Sequence, residues 1–596
     1  MRNPRQLGAK IKKKTSSNPK DSRSGLSRIH VLNVIFIVVA TLIATRLFFL
    51  QGITHQKWVA LALDQHQAFL TIAADRGEVS MRDGDHTYPL AVNREYPTLY
   101  AVPKEITEPD KTAIELSTVL GMEASVIKER LDRPDDPFEI LKKRLSDEEI
   151  EKVKALNLKG IKFLPEKYRY YPAGELASQV IGFASLGENG GASGYGIEAS
   201  KDDTLRGIAG ELTQEKDAAG RWIPLTDRSV VSAKHGEDVV LTLDRVIQYE
   251  TERIMREAID KYEAERATAI VMDPKTGKVL AMASFPQFDP NNYSKIEDMS
   301  LFLNPAVSLA YEPGSIMKPL TMAVGLEEGK VSPSTEYVDT GVIQEAGYSI
   351  RNADDKVYGR SSMTKVLEES INTGVIYVER LVTNAVFRDY MKRFGFGERT
   401  GIELPAELPG NMRNLENIRS HIQFFTASFG QGVTATPLQM VTAYAAMANG
   451  GNLMKPQIVE KIIHADGKEE LIEPTVVRRV LSEETSKQMG EMLRAVVVNG
   501  HGKRADVPGY RVGGKTGTAQ VAKSGSKGYE DGLSIGSFVG YAPIDDPQFA
   551  VLVKLDNPRK VEWAESSAAP AFGEIMKFLL EYAKIKPTED TNEKPK

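Results

Sequence analysis

The sequence predicts an α/β protein in three folded parts: a membrane-spanning helix, a mixed α+β region and an α/β sandwich. Three observations carry that reading. An apolar run, Val31 to Leu50, follows a basic leader. The stretch from Ile53 to Ser232 is charged and mixed, with glycines marking turns between short strands. At Gly236 the texture changes to strong periodic signals that persist to Asp556. A chain of 596 residues is also too long for one core. The expected division is a tail at 1–30, a span at 31–50, the mixed region at 53–232, the sandwich at 236–584 and a charged, disordered tail at 585–596.

The leader holds nine basic residues, Arg2, Arg5, Lys10, Lys12, Lys13, Lys14, Lys20, Arg23 and Arg28, against one acid, Asp21. A nucleic-acid arm would look similar, but an apolar run near the ~20 residues needed to cross a bilayer follows at once. The positive-inside rule then places the N-terminus in the cytoplasm and the remainder outside. Arg46 lies close to the outer end, where a long side chain snorkels to the interface. A cleaved signal peptide needs small residues just after the apolar core, and Ala60-Leu61-Ala62 lies too far on, so the helix reads as an uncleaved anchor.

In the mixed region, Thr107 to Arg133 and Ser146 to Leu156 read as helices. Beyond Gly236, Glu237 to Asp244 alternates as a strand, and Asp244 is placed to cap a helix running to about Tyr262. Ala267 to Asp273 and Val279 to Ser284 flank Pro274-Lys275-Thr276-Gly277, a hairpin signal. Late strands around Lys515 and from Ser537 to Asp556, with a helix from Phe572 to Tyr582 returning onto the sheet, complete the sandwich.

The chemistry concentrates in Tyr311-Glu312-Pro313-Gly314-Ser315-Ile316-Met317-Lys318-Pro319. Pro313 and Gly314 form the turn into a helix, so Ser315 falls in its first turn, where unpaired N–H groups and the helix dipole favour an oxyanion. Lys318, three residues on, stacks over Ser315. A serine needs an adjacent base, and a lysine serves when burial or a second cation lowers its pKa. Alone, Ser-x-x-Lys is a common accident. Two further motifs follow in order, Ser370-Ile371-Asn372 and Lys515-Thr516-Gly517-Thr518.

This trio resembles the penicillin-binding proteins and serine β-lactamases, and the chain is identified as a class B, monofunctional penicillin-binding protein. Pieces of the mixed region resemble that family's non-catalytic, dimerisation-type pedestal: Arg76-Gly77-Glu78-Val79, Arg82-Asp83-Gly84, Tyr171-Pro172, Gly194-Tyr195-Gly196-Ile197-Glu198, and Leu205-Arg206-Gly207 with Gly210. The family's usual acid before Arg82 is replaced by Met81. Ser428-Phe429-Gly430-Gln431-Gly432 and Thr436-Pro437-Leu438-Gln439 look like family scaffold, their glycines needing only a turn explanation. The form of the Ser315 segment and of the Ser428 run resembles division (septal) enzymes more than elongation ones.

The resemblance implies a peptidoglycan D,D-transpeptidase acting on stem peptides that end in D-Ala-D-Ala, with β-lactams as inhibitors. Ser315 would be the nucleophile and Lys318 its base. Ser370 would pass a proton toward the leaving amine and Asn372 would offer its amide to the substrate backbone, although both types are also common helix caps. Lys515 would hold Lys318 neutral and attract the donor carboxylate, with Thr516 and Thr518 offering hydroxyls, on an edge strand where Gly517 admits a ligand backbone. The N–H groups of Ser315 and Thr518 would form the oxyanion pair. No glycosyltransferase sequence is found, so the resemblance implies a polytopic SEDS-family polymerase and other division proteins as partners, in the bacterial cytoplasmic membrane.

Two other readings compete: a hydrolase, meaning a D,D-carboxypeptidase or β-lactamase, and a non-catalytic sensor or scaffold. The anchor and pedestal disfavour a secreted β-lactamase, and the intact trio disfavours a scaffold. The chain has no cysteine and only eight scattered histidines, which removes disulfides, thiol chemistry and any metal signature. No cofactor is called for. A net charge of −5 implies no nucleic acid.

These motifs predict a covalent penicilloyl adduct at Ser315, seen by mass spectrometry of the protein after penicillin treatment. An adduct that persists in Ser315→Ala would overturn the assignment.

Overall fold

A computed structural model describes residues 28–59, 67–133, 136–186, 192–215, 229–522 and 528–588. The basic tail through residue 27, the Ala60-Leu61-Ala62 piece and the charged tail from residue 589 lie outside the described residues. The chain forms two compact units, residues 1–72 with 210–232, and residues 73–209 with 233–596.

The first unit holds the α-helix Arg28–Phe48, which continues into a π-type turn, Phe49–Ile53. Among the described residues it is the one helix long and apolar enough to cross a membrane. Its apolar side chains, Phe36, Ile37, Leu42 and Phe48 among them, are exposed all round, the pattern of a helix whose solvent is lipid. Thr41 and Thr45 donate their hydroxyls to the carbonyls of Ile37 and Thr41, both at 2.8 Å, so the polar atoms are satisfied within the helix. The same unit carries a small antiparallel sheet of Gln67–Ile72, Gly210–Glu215 and Ser229–Val231.

Two sheets organise the second unit. The larger has seven strands. It runs Glu469–Leu471, Val459–Ile463, Asp238–Asp244, Val79–Asp83, His86–Ala101 and Glu139–Lys142, with Ile161–Tyr170 also paired to His86–Ala101. Asp238–Asp244 lies parallel to Val79–Asp83 and antiparallel to Val459–Ile463, so it has neighbours on both sides. Val239 to Asp244 are all buried, because the strand is central and covered on both faces. Asp244 caps the helix Arg245–Tyr262 as expected, accepting from the N–H groups of Val246 and Ile247.

The expected helix over 107–133 is two helices, Pro109–Leu120 and Ala124–Leu131, divided at Gly121 in the left-handed region. Asp147–Ala155 begins with a capping box between Ser146 and Glu149. Two of the pedestal pieces, those of Arg76 and Glu198, meet in an ion-pair cluster. The Glu198 carboxylate is fully buried and accepts from Arg76 Nε at 2.7 Å and Arg169 Nε at 2.6 Å, while Arg76 also reaches Asp202 at 2.6 Å.

The smaller sheet is antiparallel, in the order Val279–Phe285, Arg266–Met272, Phe549–Asp556, Tyr529–Ala542, Gly513–Ala522. Alternate side chains of Arg266–Met272 enter two different cores. Ala267, Ala269 and Val271 pack with Met255, Phe572 and Met576 of the helices Arg245–Tyr262 and Ala568–Tyr582. Ile270 and Met272 share the other core with Leu320 of Lys318–Glu327 and Tyr444 of Pro437–Ala448. Both faces are dry, which is why these strands read as unbroken apolar runs. The sheet ends on one side at Gly513–Ala522, and that free edge carries Lys515.

Candidate active site

The edge strand and the Ser370 segment both meet the serine segment. Tyr311 exchanges backbone hydrogen bonds with Ala435, both at 3.0 Å, and the chain then turns through Gly314 at φ 60°. A 3-10 turn, Gly314–Met317, leads into the α-helix Lys318–Glu327. Ser315 is half-buried, whereas Gly314, Ile316, Met317 and Lys318 are buried. The turn is held from behind by three hydrogen bonds: its own Gly314 N–H to the Gly430 carbonyl at 3.1 Å, the Tyr444 hydroxyl to the Ile316 carbonyl at 2.7 Å, and Gly432 N–H to Glu312 at 2.9 Å. Burial raises the Glu312 carboxyl against the pull of its donors Gly432 and Tyr529.

The second motif joins the helices Met363–Glu368 and Asn372–Val382. Capping was the competing explanation for Ser370 and Asn372, and it fails for both. The cap position is Ile371, with no side-chain cap bond, and Asn372 Nδ2 donates to the Arg351 carbonyl at 2.8 Å. Ser370 itself is held at φ 55°, rare for a side chain with a Cβ. Lys318 Nζ donates to the Ser370 carbonyl in a short hydrogen bond and to Ser370 Oγ at 3.1 Å. The start of the helix is fixed by buried Asp339, which accepts from Thr373 Oγ1 at 2.6 Å and Asn352 Nδ2 at 2.9 Å. Burial alone would raise that carboxyl, but the donors Thr373, Tyr358, Gly341 and Asn352 outweigh it and hold it below the usual range.

Lys515 and Lys318 are 0% and 1% exposed, and among the described residues neither forms an ion pair. Lys515 Nζ donates to the Thr516 carbonyl at 3.1 Å and Thr516 Oγ1 at 3.3 Å. Burial pulls both amines down. Lys318 falls well below the ordinary lysine value, burial acting first and the Lys515 charge second. Burial lowers Lys515 to about 7 against the opposing charge of Glu565. The result is a desolvated pair of amines, one bonded to the half-buried Ser370 hydroxyl and one on the sheet edge, where protons can be moved.

Gly517 also packs against the protein itself. A Cβ there would lie 2.9 Å from Ile316 Cγ2, 3.0 Å from the Pro313 carbonyl and 3.0 Å from Ser537 Oγ. The serine turn thus leans on a strand that carries no side chain at this point. Thr518 Oγ1 accepts from Ala564 N–H at 3.1 Å.

A family model described as "Penicillin binding protein transpeptidase domain" matches residues 267–577, more than half of the chain. The chain belongs to the penicillin-binding protein transpeptidases. A second model, "Penicillin-binding Protein dimerisation domain", matches residues 71–241. Relatives in this family include Stage V sporulation protein D of Bacillus subtilis, 36% identical over 94% of this chain and 86% of its own length. The probable peptidoglycan D,D-transpeptidase PenA of Neisseria meningitidis is 30% identical over 97% of this chain and 95% of its own length. Penicillin-binding protein 3 of Mycobacterium tuberculosis, solved with aztreonam, aligns with TM-score 0.67 and 28% identity over 88% of this chain and all of that one.

Sequence reading missed what backs the family's serine turn. Gly430 was legible only as a turn, yet a Cβ there would meet the Gly314 carbonyl oxygen at 2.2 Å and its nitrogen at 2.6 Å, with φ at 84°. Asp339 gave no signal, because its partners come from four separate places in the chain. Gly430→Ala is therefore expected to push the Ser315 turn forward and slow penicillin acylation on the order of 10²-fold in a protein that still folds. A folded variant acylated at the wild-type rate would show that the turn does not depend on this contact.

Proposed function

We propose that the protein is a peptidoglycan D,D-transpeptidase that cross-links stem peptides for the division septum and is acylated by β-lactams. The observation that carries this is the buried, unpaired Lys318, bonded to Ser370 and lying beside Lys515. In this reading Ser315 Oγ attacks the penultimate D-Ala carbonyl while Lys318 takes its proton. The N–H groups of Ser315 and Thr518 receive the oxyanion. The C–N bond to the terminal D-Ala then breaks, and the leaving amine receives a proton through Ser370. An acceptor amine attacks the resulting ester and returns Ser315 to its free form. Asn372 orients the donor backbone, and Lys515 with Thr516 and Thr518 receives its terminal carboxylate, whose charge favours the ammonium form of Lys515.

The names of PenA and of a sporulation protein among the relatives support a cell-wall role. Septal work is favoured by the form of the Ser315 and Ser428 segments. The pedestal is taken as residues 53–232 and the transpeptidase domain as 236–584. The helix Arg28–Phe48 is read as a single-pass anchor in the cytoplasmic membrane with the basic tail inside. In this reading the protein works beside a SEDS-family glycosyltransferase, as the family resemblance implies, and the small residues Ala40, Thr41, Ala44 and Thr45 allow close helix approach in the membrane.

Given polymerised glycan, the wild-type protein is expected to yield cross-linked dimeric stem peptides. Release of D-Ala with no dimers would make it a carboxypeptidase. Lys318→Ala is expected to slow acylation by penicillin by about 10²- to 10⁴-fold with little loss of stability, and a folded variant acylated at the wild-type rate would remove Lys318 as the base. In the wild type, acylation should rise with pH as Lys318 loses its proton, since only the neutral amine accepts one. Exchanging the anchor for an unrelated apolar helix of equal length should abolish co-purification with the glycosyltransferase while leaving acylation normal. Unchanged co-purification would move the interface to the pedestal.

A further inference from the structure

The helix Asn372–Val382 is capped from another segment of the chain. The first N–H groups of a helix find no partner within it. That of Thr373 donates to Asn352 Oδ1 at 3.1 Å. Asn352 lies just past the strand Tyr348–Arg351, which pairs with Val342–Glu345 as a hairpin, and it is only 5% exposed. Its amide nitrogen donates to Asp339 Oδ2 at 2.9 Å and to the Lys356 carbonyl at 3.0 Å. Those two partners only accept, and the Thr373 N–H only donates, so the orientation of the Asn352 amide is fixed.

Thr373 is tied to the same group by its side chain. Its hydroxyl has one proton, which goes to Asp339 Oδ1 at 2.6 Å. The Tyr337 hydroxyl, 3.2 Å away, then donates to the Thr373 oxygen, and the Tyr337 ring stacks on Tyr377 of the same helix.

The residue before Asn352 holds the residue before Thr373. The Arg351 carbonyl accepts from Asn372 Nδ2 at 2.8 Å. That carbonyl and the Asn352 N–H belong to one planar peptide unit and point opposite ways. The N–H donates to the Gly341 carbonyl at 3.3 Å, across the foot of the hairpin. Fixing Asn352 therefore fixes the direction of the Arg351 carbonyl. A carbonyl accepts only, so the nitrogen of the Asn372 amide must face it. The Asn372 oxygen and second N–H form no hydrogen bond among the described residues.

We propose that Asn352 is a positioning residue for Asn372, setting through the Arg351–Asn352 peptide which atoms of the Asn372 amide face the donor. This rests on the reading of Asn372 given above, in which its amide meets the donor backbone. Asn352 belongs to none of the three motifs. A residue that only stabilised the fold would affect every acylating agent alike. One that aims the Asn372 amide matters most for agents that use that amide.

The test compares benzylpenicillin, whose acylamino group stands in for the donor backbone, with 6-aminopenicillanic acid, which lacks the acyl group and keeps the β-lactam and the carboxylate. With full-length protein in detergent, Asn352→Ala is expected to lower the ratio of the two acylation rates, benzylpenicillin over 6-aminopenicillanic acid, by about tenfold, the scale of one hydrogen bond. Asn372→Ala, measured beside it, should lower the same ratio by at least as much. A wild-type ratio in Asn372→Ala would remove the reading of Asn372 and this proposal with it. A lowered ratio in Asn372→Ala with a wild-type ratio in Asn352→Ala would overturn the proposal alone. Should Asn352→Ala not fold, a structure of the wild-type protein acylated with benzylpenicillin decides. There the Asn372 nitrogen is expected to stay bonded to the Arg351 carbonyl while the rest of its amide meets the acylamino group. An Asn372 side chain swung away from Arg351 would overturn the proposal.

Discussion

Two lysine side chains taken out of water with no carboxylate to pair them are the constraint around which this molecule is arranged. Isolated charges in such a position cost several kcal/mol each, and the protein relieves that cost by lowering the affinity of Lys318 and Lys515 for their protons. Lys554 shows the alternative within the same sheet. It is equally buried, and it is paired with Asp556. The site pair differs in being hydrogen-bonded only to neutral oxygens, those of Ser370 and Thr516. Such bonds hold an amine in place and leave its proton easy to remove.

Keeping water from these amines requires three unrelated segments to meet without gaps, and glycine makes the meeting possible. Gly517 lets the edge strand touch the serine turn, and Gly430 lets the loop behind it touch Gly314. At Gly430 the contact is backbone against backbone, and at Gly517 it is with Ile316, Ser537 and the Pro313 carbonyl. Positions of this kind tolerate little adjustment, so the serine hydroxyl inherits its place from the sheet and not from its own rotamer alone.

The same logic governs the rest of the second unit. The strand Asp238–Asp244 has one neighbour, Val79–Asp83, far back in the sequence and another, Val459–Ile463, far ahead. A central, doubly covered strand ties distant parts of the chain into one sheet, and buried Glu198 does so with two arginines. Breaking either would leave unpaired polar groups in the interior.

The sequence by itself determined whatever depends on local order. The apolar span, the Asp244 cap, the hairpin at Pro274 to Gly277, the late strands and the three motifs are all encoded within a few residues of each other, where periodicity and turn chemistry act. Resemblance then supplied roles for Ser315, Lys318, Ser370, Asn372 and Lys515. Tertiary structure decided what no local pattern can hold. It ruled out capping for Ser370 and Asn372, gave Gly517 a packing contact with the serine turn and gave Gly430 a part in the site. It also showed Glu379 to be a buried carboxyl with no donor among the described residues. The physical reason is common to all four. Burial, and the partner a group finds or lacks there, is set by segments tens to hundreds of residues apart, and sequence spacing carries no record of that distance.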